Sequence, residues 1–314
     1  MQQRSVLSRW SRRPLGGTGL VVDPVCIGCA PLGNQPRTYG YGVDEEQALA
    51  TARAIFAAPV NYIDTAVLYG SGESERRLGV VLREIGGLPE GFVLQTKTGR
   101  DHVTPTYFSG AQVRESIGQS RRRLGLERLQ MVYLHDPDQS TWEWVNASGG
   151  PLEALEQLKE EGVIEHLGVA AWDVDLLMRY VDTGKFEAVI THNRYNLLVH
   201  DAEPSIEFAS TRGLAVLNGA PYGSGILAKG PAAYPRYRYA EASPELLEKA
   251  RRIEAACRRY DVPLAAASLQ FSLRDPRVTS TIVGVSRPER VRQTIEIADY
   301  PIPESLWTDL AELI

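Results

Sequence analysis

Short apolar runs alternate with longer stretches of helical spacing along most of the chain. The runs lie at 25–29, 60–63, 92–96, 130–134, 165–170, 187–190, 214–217 and 279–283. They lack a clean apolar–polar alternation, as expected of buried parallel strands. Between them, apolar residues recur at helical spacing. Leu49, Ala52, Ile55 and Phe56 predict a helix beginning near Asp44, and Val113, Ile117 and Leu124 one beginning near Ser109. Leu152, Leu155 and Leu158 predict a third, following Pro151. Such spacing turns one apolar face to a core. Gly79, Gly86, Gly125, Gly162, Gly184 and Gly213 fall where helices are expected to stop or turn back. Eight strands, each followed by a helix, predict an α/β fold, a closed (β/α)8 TIM barrel. A doubly wound open sheet uses the same alternation and is the alternative.

The 314 residues exceed the roughly 250 of a typical barrel, and no composition shift marks a domain boundary. A single domain over 1–314 is therefore expected, with the excess placed in three segments. Residues 1–12, with Arg4, Arg9 and Arg12 and no acidic residue, are read as an exposed arm. The segments around Gly16-Gly17-Thr18-Gly19 predict a small hairpin covering one end of the barrel. A long loop before the eighth strand spans 219–242 and is rich in Gly, Pro and Tyr (Tyr222, Tyr234, Tyr237, Tyr239). Loops of that length are usually functional or disordered.

Charge and cysteine content narrow the class. Lys and Arg number 34 against 39 Asp and Glu, a net charge of −5 with His neutral. That argues against nucleic acid, whose binding needs a basic footprint. No apolar run approaches the ~18 residues of a membrane helix. Three cysteines, Cys26, Cys29 and Cys257, cannot all pair, so a secreted disulfide scaffold is not expected. Cys26 and Cys29 have the spacing of a redox or zinc pair, but residues three apart on a strand point to opposite faces, which predicts core packing and no metal site. A cytoplasmic, monomeric protein acting on a small molecule is the expectation.

A barrel carries its chemistry at the C-terminal ends of its strands. Asp64 ends the second run, and Tyr69 follows in Asp64-Thr65-Ala66-Val67-Leu68-Tyr69-Gly70. Lys97 ends the third and His135 the fourth. These four side chains should meet on one rim. A phenol is a poor acid at neutral pH, a neighbouring ammonium favours its phenolate, a carboxylate holds the ammonium, and an imidazole can donate to a carbonyl oxygen. Together they suit protonation of a carbonyl oxygen, and since none is a hydride donor, a redox reaction needs a cofactor. Taken singly, each has a plainer reading: Asp64 as a turn cap, Lys97 as a solvated strand end, His135-Asp136-Pro137 as a turn. Trp142, Trp144 and Trp172 are candidates for pocket walls.

The run Asn61-Tyr62-Ile63-Asp64-Thr65-Ala66-Val67-Leu68-Tyr69-Gly70, followed by Ser74-Glu75-Arg76-Arg77-Leu78-Gly79, resembles the aldo-keto reductase signature. So do Thr96-Lys97, Leu134-His135, Gly162-Val163-Ile164 with Gly168-Val169, and the stretch 283–291. The N-terminal Arg13-Pro14-Leu15-Gly16-Gly17, together with Asn193-Arg194-Tyr195-Asn196 and Asn218-Gly219-Ala220-Pro221-Tyr222-Gly223-Ser224-Gly225, resembles the branch holding aldose 1-dehydrogenases and pyridoxal 4-dehydrogenases. The resemblance implies NAD(P)-dependent interconversion of an alcohol or hemiacetal and a carbonyl, on a sugar or pyridoxal-type substrate. Asp64, Tyr69, Lys97 and His135 would be the catalytic tetrad. A regulatory module that binds cofactor with little turnover is the alternative, because some family members act so.

The same resemblance implies cofactor contacts from Gly28, Cys29, Ala30, Asp64, His192, Asn193, Ala220, Pro221, Tyr222, Ser224, Gly225, Leu227, Gly284, Ser286, Arg287 and Arg290. Three positions depart from the family pattern. Ala170-Ala171-Trp172 replaces a Ser-Asn that holds the nicotinamide carboxamide in many members, which leaves His192 and Asn193 as candidates. Gly219 replaces an aromatic residue that stacks on nicotinamide. Gly284 replaces a Lys that pairs with the 2′-phosphate of NADP in some members, while Arg287, Arg290 and a helix start at Pro288 remain to hold an anion. Either NAD or NADP is expected to be accepted, with the lost Lys leaning toward NAD.

Overall fold

The computed structural model describes residues 7–101, 103 and 106–314. All eight expected strands form: β1 (Val25–Gly28), β2 (Tyr62–Asp64), β3 (Val93–Thr98), β4 (Leu129–His135), β5 (Ile164–Ala170), β6 (Ala188–His192), β7 (Ala215–Gly219) and β8 (Ser280–Gly284). They are parallel, neighbours in sequence are neighbours in space, and β8 pairs with both β7 and β1. The sheet is therefore a closed (β/α)8 barrel rather than an open sheet. Several strands run further than their apolar residues suggest. Asp64, Lys97, His135, His192, Gly219 and Gly284 all lie in the last residues of their strands, hydrogen-bonded into the ladder.

Helices pack outside. They are α1 (Glu45–Ala57), α2 (Glu73–Glu84), α3 (Gly110–Leu124), α4 (Pro151–Glu160), α5 (Val174–Val181), α6 (Glu203–Ser210), α7 (Pro244–Arg259), α8 (Leu264–Arg274), α9 (Pro288–Ala298) and α10 (Glu304–Ala311). The starts follow local chemistry. Asp44 accepts from the Gln47 amide ahead of α1, and Ser109 forms a reciprocal capping box with Gln112 ahead of α3. Gly125 closes α3 in the left-handed conformation a Cβ disfavours. Gly79 is different: it lies inside α2, not at its end. A Cβ there would fall 1.7 Å from the Arg123 carbonyl oxygen, so this glycine lets α2 and α3 touch backbone to backbone.

Two apolar layers result. Inside the barrel lie Cys26, Tyr62, Val93, Met131, Tyr133, Ile190 and Leu217, closed from below by Leu15 and Val22 of the hairpin Arg13–Pro14/Val21–Val22. Cys29 belongs instead to the outer layer between strands and helices, so the two strand cysteines do face opposite sides and both are free thiols. Residues 7–12 are not an exposed arm. Leu7 is buried, the Ser8 amide donates to Asp299, and the Trp10 indole donates to the Ala298 carbonyl at 2.9 Å. These contacts satisfy groups at the C-terminal end of α9 that the helix itself leaves unmet. Residues 1–6 lie outside the described residues.

The long segment before β8 is also built. It holds a one-turn helix (Ile226–Lys229), a two-stranded hairpin (Arg236–Tyr237 with Ala240–Glu241), then α7 and α8. Leu197, Leu198, Ile226, Leu227 and Tyr237 join α7, α8 and α10 in a second apolar cluster beside the barrel.

Candidate active site

Asp64, Lys97 and Tyr69 form one hydrogen-bonded group at the C-terminal rim. The Lys97 ammonium donates to Asp64 Oδ1, to the Thr65 carbonyl at 2.9 Å and to the Tyr69 phenol oxygen at 2.9 Å. Those are all the donors an ammonium has. Gln95 also donates to Asp64 Oδ1, at 2.6 Å, and the Tyr69 hydroxyl lies 3.4 Å from Asp64 Oδ2. Lys97 is spent on three acceptors and the phenol donates only a long bond to Asp64, so the phenol proton is the one the group can turn toward the cavity. His135 stands on the next strand, its ring edge-on to Tyr69 at 6.1 Å. Its Nδ1 is buried without a hydrogen-bond partner among the described residues.

The loop carrying Tyr69 is held by a close backbone contact that only glycine permits. A Cβ on Gly70, whose φ is +67°, would fall 2.0 Å from the Gly33 carbonyl oxygen, and one on Gly33 would fall 2.5 Å from the Tyr69 backbone. Ser74 bonds the Cys29 carbonyl and the Thr65 hydroxyl, and buried Glu75 accepts from Thr96 at 2.6 Å and pairs with Arg123. The second half of the sequence signature thus fastens the loop and the strand bearing Lys97. Gly70→Ala is expected to leave the far-ultraviolet circular dichroism near native but to lower kcat/KM roughly 10²-fold, the usual penalty for moving a reacting group by about 1 Å. Steady-state kinetics beside the spectrum checks it.

Electrostatics departs from the sequence expectation in one respect. The Tyr69 phenol is pushed well above its ordinary pKa, first by burial and then by the Asp64 charge. The expected lowering by Lys97 is outweighed. Tyr69 is therefore a neutral phenol at neutral pH, its oxygen polarised by an ammonium. His135 is driven well below its ordinary pKa by burial and then by Lys97, so it is a neutral imidazole with one N–H to offer. His192 falls to about 4, mainly through burial.

A cavity of about 490 Å³ opens above these groups, in the size range of a small-molecule or cofactor site. Asp64, Tyr69, Lys97 and His135 line it, as do Gly28, Ala30, His192, Gly219, Ala220, Pro221, Tyr222, Ser224, Gly225 and Gly284. Other expected contacts lie behind the wall. Cys29 points into the outer core, its Sγ toward the Ile27 carbonyl, because a side chain one step past the inward face must. Leu227 is buried in the second apolar cluster. Asn193 is buried as well: its amide meets His192 Nδ1 and accepts from Ser224, so it orients two lining residues. Ser286 turns its carbonyl to Gln47, while Arg287 and Arg290 are exposed beside Tyr41.

Trp172 lines the cavity, with Tyr39, Tyr239, Arg100 and Asp136. Tyr239 belongs to the Tyr-rich loop the sequence marked out, whereas Tyr39, Arg100 and Asp136 were missed; the cue for Asp136 was its place directly after His135, read there as a turn. Trp142 packs instead on Tyr180 and Arg179, and Trp144 is 49% exposed, its indole N–H toward the Phe108 carbonyl. At Gly219 a Cβ would fall 3.0 Å from the His192 ring, so the imidazole occupies space a larger residue would take.

Residues 24–314 match the model of the aldo/keto reductase family. The chain belongs to this family. It is 34% identical to a D-threo-aldose 1-dehydrogenase from Pseudomonas sp, over 94% of each chain. It is 30% identical to a pyridoxal 4-dehydrogenase from Microbacterium luteolum, over 95% of this chain and 96% of that one. An aldo-keto reductase from Bacillus halodurans, in its holo form, shares the fold with a TM-score of 0.77 at 22% identity, over 97% of this chain and 96% of that one. This aldo/keto reductase is an NAD(P)-dependent oxidoreductase. The site suits a dinucleotide. The side-chain-free ends of β1, β7 and β8 leave a furrow at Gly28, Gly219 and Gly284, and the His135 Nδ1 lacks a partner among the described residues. Among the described residues no helix is long and apolar enough to cross a membrane.

Proposed function

We propose that this aldo/keto reductase interconverts a sugar hemiacetal and the corresponding carbonyl product, with Tyr69, Lys97, Asp64 and His135 as its catalytic group. The observation that carries the reading is the neutral Tyr69 phenol, polarised by Lys97, at the base of a cavity with polar and aromatic walls. The names of the two relatives, an aldose and a pyridoxal dehydrogenase, support the substrate class. The nicotinamide, when bound, supplies or takes up the hydride that no side chain here can carry. Gly28, Gly219 and Gly284 would make room for it, and Arg287 and Arg290 would meet its anionic end.

For reduction, Tyr69 hands its proton to the substrate oxygen. Lys97, donating to the same phenol oxygen, stabilises the phenolate that remains. Asp64 keeps Lys97 in place, and the neutral His135 offers an N–H to the substrate oxygen. For oxidation the phenol must first be deprotonated. A phenol with a raised pKa stays protonated through neutrality, so kcat/KM for reduction is expected to be flat from about pH 6 to 8, and kcat/KM for oxidation to rise with pH. His135, neutral throughout, should add no inflection near its ordinary ~6.5. Profiles in both directions check this; an oxidative optimum at neutral pH would contradict it.

The function itself is tested by measuring kcat/KM on a panel of aldoses, pyridoxal, pyridoxine and simple aldehydes with NAD(H) and NADP(H). An aldose is expected to lead. With Gly284 supplying no cation, NADP is expected to hold no more than about a tenfold advantage over NAD, one charge-assisted contact being worth about that. Tight cofactor binding, seen as fluorescence quenching, with no turnover anywhere in the panel would favour the regulatory module instead.

A further inference from the structure

Two charged side chains line the cavity without a side-chain hydrogen bond among the described residues. Arg100 follows β3 and Asp136 follows β4, one residue beyond His135, and both line the cavity. Arg100 Nε is 3.9 Å from Asp136 Oδ2, and His135 Nε2 is 3.8 Å from Asp136 Oδ1. Neither separation is a hydrogen bond. Among the described residues, nothing else bonds either side chain. Each is only about a third exposed, at 29% and 30%. Asp136 also adopts φ +48° and ψ +52°, a left-handed conformation that Asp and Asn enter more readily than other residues with a Cβ, and its amide is tied to the Ala170 carbonyl at 2.7 Å. The backbone bond to Ala170 thus fixes the position of a carboxylate at the cavity wall. The same cavity is also lined by flat rings: the His192 ring lies 5.7 Å from Trp172 and stacks on Tyr239 at 6.2 Å.

We propose that Arg100 and Asp136 are the specificity-determining pair of this site, gripping neighbouring hydroxyl groups of a cyclic polyol whose C–H faces rest on Trp172, His192 and Tyr239. A guanidinium only donates and a carboxylate only accepts. A hydroxyl does both, so adjacent hydroxyls placed between the two groups satisfy them together, donating to Asp136 and accepting from Arg100. A planar or aliphatic aldehyde without hydroxyls leaves both charges stripped of water and unmet, which a site built for hydroxyls rejects. The inference rests on the sugar-dehydrogenase reading above and adds which residues select the sugar.

The test compares kcat/KM for the aldose the wild-type enzyme turns over best with its monodeoxy analogues and with benzaldehyde, in wild type, Asp136→Asn, Arg100→Met and Arg100→Lys. Asn tolerates the left-handed backbone, so Asp136→Asn keeps the local fold. In wild type, loss of one engaged hydroxyl is expected to lower kcat/KM by roughly 10- to 100-fold, the range of a hydrogen bond to a charged group. Asp136→Asn and Arg100→Met should compress that ratio toward one, mainly through KM, with Arg100→Lys intermediate. Cofactor affinity by fluorescence quenching should stay near wild type, and kcat/KM for benzaldehyde should hold or rise, because Asp136→Asn and Arg100→Met each remove a charge that benzaldehyde leaves unmet. The ratio is insensitive to a uniform loss of kcat, so disturbance of His135 cannot imitate the result. Turnover of aldoses with wild-type discrimination kept in both variants overturns the pair alone, as does a wild type indifferent to every deoxy change. Absence of turnover on all substrates overturns the functional reading and this inference together.

Discussion

Tyr69→Phe is expected to lower kcat by about 10²- to 10⁴-fold, the contribution usual for a positioned proton donor, while the cofactor dissociation constant changes little. The reason lies in how Lys97 is committed. Its three N–H groups go to Asp64, the Thr65 carbonyl and the Tyr69 oxygen, so the phenol holds the one proton of the group left for the substrate. Phenylalanine keeps the ring and its packing against His135 and removes only that proton and its oxygen. Lys97 then loses a single acceptor and remains paired with Asp64, so the fold should persist. Single-turnover kinetics beside fluorescence quenching separates the two effects. An unchanged kcat would sink the assignment of Tyr69; a cofactor affinity that fell in step with kcat would make the residue a binding group instead.

Lys97→Met is expected to damage both catalysis and stability. Lys97 and Asp64 are among the least exposed charges of the protein, with 3% and 2% of their side chains accessible. Removing the ammonium leaves the carboxylate buried with Gln95 as its short hydrogen-bond donor. Breaking such a pair costs about 3–5 kcal/mol, because an uncompensated charge stays behind. The phenolate formed when Tyr69 gives up its proton also loses its stabilising donor, so a drop of at least about 10²-fold in kcat should accompany the loss of stability. Denaturant unfolding with the kinetics tests both. Combining the change with Asp64→Asn should recover much of the stability and none of the activity, since the orphaned charge is gone but the donor to Tyr69 is still absent. A single variant with wild-type stability would show that water or a rearrangement reaches Asp64.

Much of the barrel was legible because its determinants are local. Eight apolar runs, helical spacing between them, Asp44 and Ser109 as caps and the hairpin glycines each act within a few residues. The spacing of Asp64, Tyr69, Lys97 and His135 was legible for a related reason: parallel strands in register bring consecutive strand ends side by side. The features that were missed depend on what lies across the fold. Gly79 reads as a helix stop, but the carbonyl of Arg123 on another helix demands it. Residues 7–12 read as a polar arm until the end of α9 supplies partners. Leu227 and Asn193 sit beside lining residues in sequence, yet one packs into the second apolar cluster and the other braces His192.

The sequence by itself determined the eight alternating strand–helix units and which four side chains sit at consecutive strand ends, since periodicity and spacing along the chain suffice for these, whereas closure over an open sheet was decided by the pairing of β8 with both β7 and β1. The tertiary structure alone decided how the convergent groups are charged and what they face. An ammonium beside a phenol predicts an easily lost proton, yet Tyr69 holds its proton more tightly than a free phenol. Burial and the Asp64 charge act through space, and no pattern along the chain reports how much water the folded barrel removes. The same holds for Arg100 and Asp136: two strand-end charges become a candidate substrate grip only because closure of the barrel sets them 3.9 Å apart over a cavity.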